Sequence, residues 1–197
     1  MLRDEKMRVR AEAVARREAL ADREARGVRI ETAVLALPEW AAARTISTYV
    51  GVGAEVPTLS LIAAALTQGK RVAVPRVEGG NLTLYRIEST EELGPASFGL
   101  LEPRREFVRK ARRIMATEVH CFLVPGLAFD RTCGRLGYGK GYYDALLARV
   151  KPHIPTIGLA FEAQLVEQVP MGPTDVRLTA LITEVARYPS RAGRPSR

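Results

Sequence analysis

Residues 134–144 hold the side chains most able to do chemistry, in the order GRLGYGKGYYD. The glycines let backbone N–H groups approach a phosphate, and a helix opening at about Gly141 would add the positive end of its dipole. Arg135 and Lys140 add two cations, and Asp144 adds a carboxylate able to hold Mg²⁺ beside bound phosphates. The stretch therefore predicts a phosphate-binding loop, with a plain glycine-rich connection as the alternative.

Neither standard nucleotide-binding loop fits this stretch. The spacing from Gly134 to Gly139 and Lys140 is that of a P-loop, but Gly141 stands where the metal-binding Ser or Thr belongs. The dinucleotide pattern also fails, because Tyr142 occupies the position of its third glycine. A phosphate site here must use a loop of another kind.

The overall charge points to an anionic partner. The chain has 197 residues, of which 47% are hydrophobic and 26% are charged, with a net charge of +8. This length and balance predict one globular domain with a sizeable core. The excess charge favours nucleic acid, a membrane surface, or phosphorylated and carboxylated small molecules. Arginine supplies 25 of the 30 basic residues, which suits bidentate binding of phosphate or reflects a GC-rich genome.

Several classes of protein are excluded by what the sequence lacks. The first ten residues are too charged for a signal peptide, and the longest apolar run, 61–66, is far too short to span a membrane. Two cysteines are too few for a disulfide framework, and two histidines make a His-based metal site or triad unexpected. We therefore expect a reduced, cytoplasmic protein.

The pattern of elements predicts an α/β fold. Strands that alternate with helices imply a parallel sheet covered on both faces, so we expect a three-layer α/β/α architecture with a mostly parallel, Rossmann-like sheet. A single domain should span residues 1–186, and the basic segment 187–197 should be a disordered tail. The predicted strands are 44–50, 71–74, 82–87, 119–124, 154–161 and 180–185, and the predicted helices are about 3–26, packed on the body, 31–40 and 57–68, with another opening at about 141.

The run VPGLAFD at 124–130, followed by RLGYGKGYYD at 135–144, resembles the signature of the 5-formyltetrahydrofolate cyclo-ligase family. Weaker matches occur in the family's order along nearly the whole chain. They are Lys6 and Arg10, residues 48–50, 55–56 and 58, residues 69–70 and 72–75, residues 99–103, residues 169–170, and Asp175.

The resemblance implies an enzyme that uses ATP and Mg²⁺ to convert 5-formyltetrahydrofolate to 5,10-methenyltetrahydrofolate, with release of ADP and phosphate. In that family the formyl oxygen attacks the γ-phosphate, N10 then attacks the activated carbon, and phosphate leaves as the ring closes. Phosphoryl transfer asks mainly for alignment and charge neutralisation, so it needs no activated serine or cysteine.

The resemblance also assigns roles to residues. The catalytic set it implies is Glu55, Arg135 and Lys140. The ATP-binding set is Lys6, Arg10, Arg135, Leu136, Gly137, Tyr138, Gly139, Lys140, Gly141, Tyr142 and Tyr143. The substrate-binding set is Val50, Glu55, Phe98, Tyr138 and Tyr142. The Mg²⁺ ligands are Asp144 and Asp175.

Plainer interpretations remain beside these roles. Lys6 and Arg10 could lie on a solvated helix face, Val50 and Phe98 could be ordinary core, and Asp175 could be a turn residue.

The expected partners are ATP and a folate, possibly polyglutamylated. The protein should bind them as a monomer and should bind neither a membrane nor a specific nucleic acid. A paralogue with another substrate and an RNA-binding protein are the alternatives, although no aromatic recognition motif accompanies the basic segments. We interpret the basic run 104–113 as facing the anionic folate tail.

Overall fold

A computed structural model describes residues 1–96 and 101–189. The helices in these residues are α1 (Leu2–Glu18), α2 (Arg23–Leu35), α3 (Pro38–Ala42), α4 (Leu59–Thr67) and α5 (Tyr142–Leu147). The strands are β1 (Thr45–Ser47), β2 (Arg71–Glu78), β3 (Asn81–Ile87), β4 (Leu93–Pro95), β5 (Leu101–Pro103), β6 (Arg113–Ile114), β7 (Cys121–Val124), β8 (Ala128–Phe129), β9 (Arg135–Leu136), β10 (Thr156–Leu159), β11 (Ala180–Ile182) and β12 (Arg187–Pro189). Short 3₁₀ turns cover Thr90–Glu92, Arg105–Phe107, Lys110–Arg112, Ala116–Glu118 and Glu162–Gln164.

The central sheet has eight strands in the order β12-β11-β10-β7-β1-β2-β3-β6. The five inner strands, from β11 to β2, run parallel to one another. Antiparallel strands complete both edges, β3 and β6 on one side and β12 on the other. Two small hairpins, β4–β5 and β8–β9, stand outside this sheet.

Helices cover both faces of the sheet, because successive side chains of a strand point to opposite faces. In β7, Cys121 and Leu123 pack into one cluster with residues of α2 and α4, whereas Phe122 and Val124 pack into another with residues of α5. The parallel strands are buried on both sides, as crossover connections require. This arrangement confirms the predicted three-layer, mostly parallel α/β fold.

The first helix lies on neither face of the sheet. Val9 and Ala13 of α1 pack against Ala128, Leu136 and Val169 in a third, smaller cluster. That cluster joins α1 to the β8–β9 hairpin, which follows the central strand β7. The hairpin and the helix together therefore stand over the end of the sheet at which β7 finishes.

The single helix predicted over 3–26 is wrong, because the helix is interrupted between Glu18 and Arg23. Asp22 has a left-handed backbone conformation with φ of 55°, which separates α1 from α2. The break has a packing reason: α1 lies on the hairpin, whereas Ile30 and Val34 of α2 pack on the sheet. One straight helix could not pack against both the hairpin and the sheet. The second helix predicted, 31–40, is likewise divided between α2 and α3.

Regular structure continues three residues into the segment predicted as a tail. Residues 187–189 form β12, which pairs with β11. Side-chain contacts also hold this strand, since Tyr188 donates its hydroxyl proton to Glu162 over 2.7 Å and Arg187 pairs with Glu39. The remainder of the predicted tail lies outside the described residues. In the described ranges, no helix combines the length and apolar character needed to cross a membrane.

We expect Val124→Ala to lower the free energy of unfolding by about 2 kcal/mol, because it removes buried methyl groups and leaves a cavity in the central strand. Val124 is fully buried, whereas Val185 is 67% exposed, so Val185→Ala is a control with the same change in side chain. Urea unfolding of both variants measures the difference. Equal midpoints for the two variants would contradict the core described above.

Candidate functional site

The candidate site lies at the carboxyl ends of the inner parallel strands, where ligands usually bind in open α/β sheets. Three loops meet there, 48–58 after β1, 125–141 after β7, and 160–179 after β10, and α1 lies against the second of them. Residues that are far apart in the sequence are brought together by this topology. The first example is the ion pair between Lys6 of α1 and Asp175 of the third loop.

Residues 137–141, here called the glycine loop, run from the end of β9 into α5. Gly139 and Gly141 have φ of 95° and 70°, a backbone conformation that side-chain-bearing residues rarely adopt. A Cβ atom at Gly139 would lie 3.3 Å from the Arg10 guanidinium, so glycine also allows the close approach of α1. Because α5 has only six residues, loop N–H groups and nearby cations must supply most of the attraction for an anion.

Asp130 holds the start of the second loop in shape. Its carboxylate accepts backbone hydrogen bonds from Thr132, Gly134 and Val169, each of 2.9 Å. Burial alone would raise the pKa of Asp130, but these bonds and the Thr132 hydroxyl hold it below its usual value. The sequence analysis did not single out this residue, whose role is to tie the β8–β9 hairpin to the segment around Val169.

Arg135 is buried beneath the glycine loop with 4% of its surface exposed. Its Nη2 donates to Asp144 Oδ2 over 3.0 Å, and its guanidinium lies 5.6 Å from the centre of the Tyr143 ring. A Cβ atom at Gly137 would lie 2.8 Å from Arg135 Nη1, so glycine allows the loop to pass close over the arginine. Arg135 therefore supports the loop from below, at the base of the region where a phosphate was expected.

The two carboxylates predicted as Mg²⁺ ligands both accept hydrogen bonds from the backbone of residues 172–176. Asp144 Oδ1 accepts a hydrogen bond of 3.1 Å from the N–H of Val176, and Asp175 Oδ2 accepts one of 2.7 Å from Gly172. Each carboxylate also has a cationic partner, Arg135 for Asp144 and Lys6 for Asp175. Across residues 1–96 and 101–189, no cluster of three or more His, Cys, Asp or Glu side chains could hold a metal ion.

One face of α1 presents three cations to these loops. Lys6, Arg10 and Arg17 occupy positions i, i+4 and i+11, within about 40° of one another at 3.6 residues per turn. Lys6 pairs with Asp175, and Arg10 Nε donates to the carbonyl oxygen of Gly137 over 2.8 Å. Arg17 Nη2 donates to the Tyr138 hydroxyl over 3.1 Å. This face of α1 contacts the loops instead of forming a freely solvated surface.

Glu55 lies at the other side of the glycine loop. Its Oε1 accepts a hydrogen bond of 3.1 Å from the Tyr138 hydroxyl, and its Oε2 accepts one of 3.3 Å from the N–H of Val52. Burial raises the pKa of Glu55, and these two bonds and the charge of Arg17 partly oppose that rise. The carboxylate is thus a fixed acceptor whose ionisation depends on its neighbours.

Aromatic side chains surround this carboxylate. Tyr49 and Tyr143 both have pKa values raised first by burial and then by the charge of Glu55, so both remain protonated in the ordinary pH range. The Tyr49 hydroxyl donates to the carbonyl oxygen of Val56 over 3.1 Å, which fixes the loop carrying Glu55. Glu55 is thus a polar acceptor near several tyrosine side chains, which suits the binding of a flat heterocyclic ligand.

Other predicted site residues are less directly placed. Val50 and Leu136 are buried within apolar clusters, so their side chains serve the core, and only their backbone groups remain for a ligand. Lys140 is exposed, Tyr142 is half-buried, and Phe98 lies outside the described residues.

Arg112 of the basic run 104–113 pairs with Glu88 and Glu92. These two glutamates follow the end of β3, at the opposite edge of the sheet from the site. That arginine is therefore not at the site.

The sequence analysis missed Arg17, although a signal was available. The residue continues the face defined by Lys6 and Arg10 by two further turns, and nearly all of its surface is buried. Its contact with Tyr138 connects α1 to Glu55 through one phenol.

The chain is similar in sequence and in fold to one family of known proteins. Residues 2–184 match the model of the 5-formyltetrahydrofolate cyclo-ligase family. A probable 5-formyltetrahydrofolate cyclo-ligase of Schizosaccharomyces pombe is 34% identical over 166 residues, which are 76% of this chain and 79% of that protein. The 5-formyltetrahydrofolate cyclo-ligase of Escherichia coli K12 is 30% identical over 162 residues, 80% of this chain and 87% of that protein. The NMR structure of Aquifex aeolicus 5,10-methenyltetrahydrofolate synthetase superposes with a TM-score of 0.81 at 32% identity, covering 98% of this chain and 96% of that one.

The surroundings of Glu55 predict an elevated titration midpoint. We expect the carboxyl carbon of Glu55, followed by NMR and assigned with Glu55→Gln, to titrate above the usual glutamate range, because burial favours the uncharged acid. In Tyr138→Phe the midpoint should rise further, since the hydrogen bond that stabilises the carboxylate is lost. A midpoint at or below the usual range, or one that Tyr138→Phe lowers, would contradict this electrostatic description.

Proposed function

Because this chain belongs to the 5-formyltetrahydrofolate cyclo-ligase family, we propose that it converts 5-formyltetrahydrofolate to 5,10-methenyltetrahydrofolate in a reaction that requires Mg²⁺, consumes ATP and releases ADP and phosphate. The observation that carries the proposal is the convergence of distant residues at one edge of the sheet. Lys6, Glu55, Asp144 and Asp175 meet around the glycine loop, and the family match spans all of them.

The glycine loop and α1 are the proposed binding site for the ATP phosphates. Backbone N–H groups of residues 137–141 provide donors, Lys140 is exposed and free to reach an anion, and Arg10 lies against Gly137 and Gly139. Lys6 adds a second cation from the same helix face. The half-buried location of Lys6 and Arg10 supports this role, because surface charges with a purely solvating function would extend into water.

The residues at the loop also fit a hard divalent cation. Asp175 Oδ1 accepts no hydrogen bond from the described residues, and each Asp144 oxygen accepts one and keeps a lone pair. Protein sites for Mg²⁺ commonly supply one or two carboxylates and leave the other positions to phosphate oxygens and water. Asp144 and Asp175 would hold the ion, which when bound neutralises phosphate charge and orients the γ-phosphate.

The proposed reaction has two steps, phosphorylation of the formyl oxygen and closure of the ring. The formyl oxygen of the substrate attacks the γ-phosphorus, a new O–P bond forms, the bond to the β-phosphate oxygen breaks, and ADP leaves. N10 then attacks the activated formyl carbon and loses its proton, the C–O bond breaks, and phosphate leaves as the ring closes. The chain contributes alignment and charge neutralisation, since the formyl oxygen itself is the nucleophile.

Glu55 is proposed to lie beside the reacting formyl group. The product carries a positive charge shared between N5, the bridging carbon and N10, and a nearby carboxylate stabilises that charge as it develops. Tyr138 of the glycine loop and Tyr142 at the start of α5 provide aromatic surface, while Tyr49 and Tyr143 lie near enough to Glu55 to interact with its charge. This arrangement supports binding of a pterin ring next to the phosphate-binding loop.

The direct test supplies purified protein with ATP, Mg²⁺ and 5-formyltetrahydrofolate and follows the near-ultraviolet absorbance of the methenyl product. We expect absorbance to rise only when all three are present, with one ADP formed per product. Repetition with a polyglutamylated substrate measures the preference for tail length. A folded protein that gives no ATP-dependent rise would exclude the proposed activity.

We expect Asp144→Asn to lower kcat by roughly 100-fold or more, because the change removes one of the two carboxylates facing the phosphates and unbalances buried Arg135. Asp22→Asn is the matched control, since Asp22 is exposed and asparagine tolerates its left-handed backbone. Steady-state kinetics over a range of Mg²⁺ concentrations, with circular dichroism to verify folding, make the measurement. Full activity of Asp144→Asn would remove this residue from the metal site.

A further inference from the structure

Arg17 is a buried cation whose hydrogen-bonding capacity is mostly unused. Only 6% of the residue is exposed, and Nη2 donates to the Tyr138 hydroxyl over 3.1 Å. The Nε and Nη1 atoms are buried and have no hydrogen-bond partner in the described part of the chain. A guanidinium carries five N–H donors and cannot lose its proton, so most of this desolvated charge is not compensated by polar contacts.

Folding alone does not explain such a residue. Burying a charge is costly unless it is paired and fully hydrogen-bonded, and apolar residues of similar volume commonly replace buried ions without loss of stability. Ala13, one helical turn earlier on the same face of α1, is an apolar residue packed in the small cluster beside the hairpin. An apolar side chain at position 17 would continue that packing, so the retained charge points to a role in the site.

The hydrogen bonds around Tyr138 have only one possible direction when Glu55 is ionised. The guanidinium can only donate, so the phenol oxygen accepts from Arg17. The single phenol proton is then directed to Glu55 Oε1, 3.1 Å away. The Tyr138 side chain is 60% exposed, so these two bonds, more than packing, fix its orientation.

The polar groups of the described residues that face Glu55 come from several elements, but only one of them carries a charge. Tyr49 at the end of β1, Tyr138 of the glycine loop and Tyr143 of α5 are neutral phenols, and Val52 provides a backbone N–H. Arg17 supplies the positive charge from α1. It therefore opposes the effect of burial on Glu55 and favours the ionised carboxylate.

We propose that Arg17 is a positioning residue, which acts through the Tyr138 hydroxyl to hold the Glu55 carboxylate in one orientation toward the substrate. This proposal rests on the proposed function, because it takes Glu55 as the group beside the reacting formyl carbon. Arg17 contacts neither ligand in this scheme. Its contribution is to connect α1, which carries the proposed phosphate-binding cations, with the loop that carries the substrate-binding carboxylate.

The test compares Arg17→Met with Arg16→Met in the full-length protein. Methionine is an unbranched side chain that replaces the aliphatic stem of arginine without its charge, and Arg16 is the exposed neighbour on the same helix. We expect Arg17→Met to lower kcat/KM for 5-formyltetrahydrofolate by about 10-fold to 100-fold, the usual range for a partner of a ligand-binding group. The KM for ATP should change much less, and Arg16→Met should behave as the unchanged protein.

Two further readouts separate positioning from a merely structural role. The NMR titration midpoint of Glu55 should rise in Arg17→Met, whereas the urea midpoint of unfolding should stay the same or increase. Arg17→Lys should recover part of kcat/KM, because it keeps the charge without the planar donor geometry. Combining Arg17→Met with Tyr138→Phe should cost little more than either change alone, since both break the same chain of hydrogen bonds.

Two results in Arg17→Met would overturn the proposal. Unchanged kcat/KM in Arg17→Met overturns the proposal, and so does a loss of activity without a shift of the Glu55 midpoint. If the unmodified protein proves inactive, the proposed function fails by itself. The Glu55 midpoint in Arg17→Met then still decides whether Arg17 acts on this carboxylate.

Discussion

The packing of α1 against the β8–β9 hairpin is the contact on which the site depends. Val9 and Ala13 bury themselves against the hairpin and the segment around Val169, and the small side chain of Ala13 allows the helix to lie close. The helical repeat then places Lys6, Arg10 and Arg17 on the same side, so one apolar contact orients three cations at once. Without that contact the glycine loop would lose the three cations of α1 that lie beside it, although Arg135 and Lys140 would remain.

Several charged groups of the site already have partners within the protein. Lys6 pairs with Asp175, Arg135 pairs with Asp144, and Arg17 reaches Glu55 through Tyr138. A ligand that binds Lys6, Asp144 or Asp175 must therefore replace or share the present partners of these groups. Such pairing offsets part of the free-energy penalty of desolvating these carboxylates and cations.

The sequence predicted the architecture well because architecture follows from patterns that are local. Alternating strands and helices indicated the three-layer sheet, and the spacing of residues 134–144 indicated the loop at its edge. Positions set by distant packing were harder to predict. Leu136 and Val50 lie in motif positions but their side chains belong to the core, and Arg135 is buried beneath the loop that it was expected to line. The end of α1 escaped prediction because Ala, Arg and Glu favour helix on both sides of the break, which two separate packing surfaces impose.

The ion pair between Lys6 and Asp175 joins residues 169 positions apart. Contacts of such sequence separation form only after much of the intervening chain is already ordered, because closing so long a loop is entropically unfavourable. We therefore expect α1, which carries the proposed phosphate-binding cations Lys6 and Arg10, to dock onto the hairpin late in folding. A partly folded chain can contain a correct sheet and a correct glycine loop and still lack a complete site, so ligand binding reports on the finished fold.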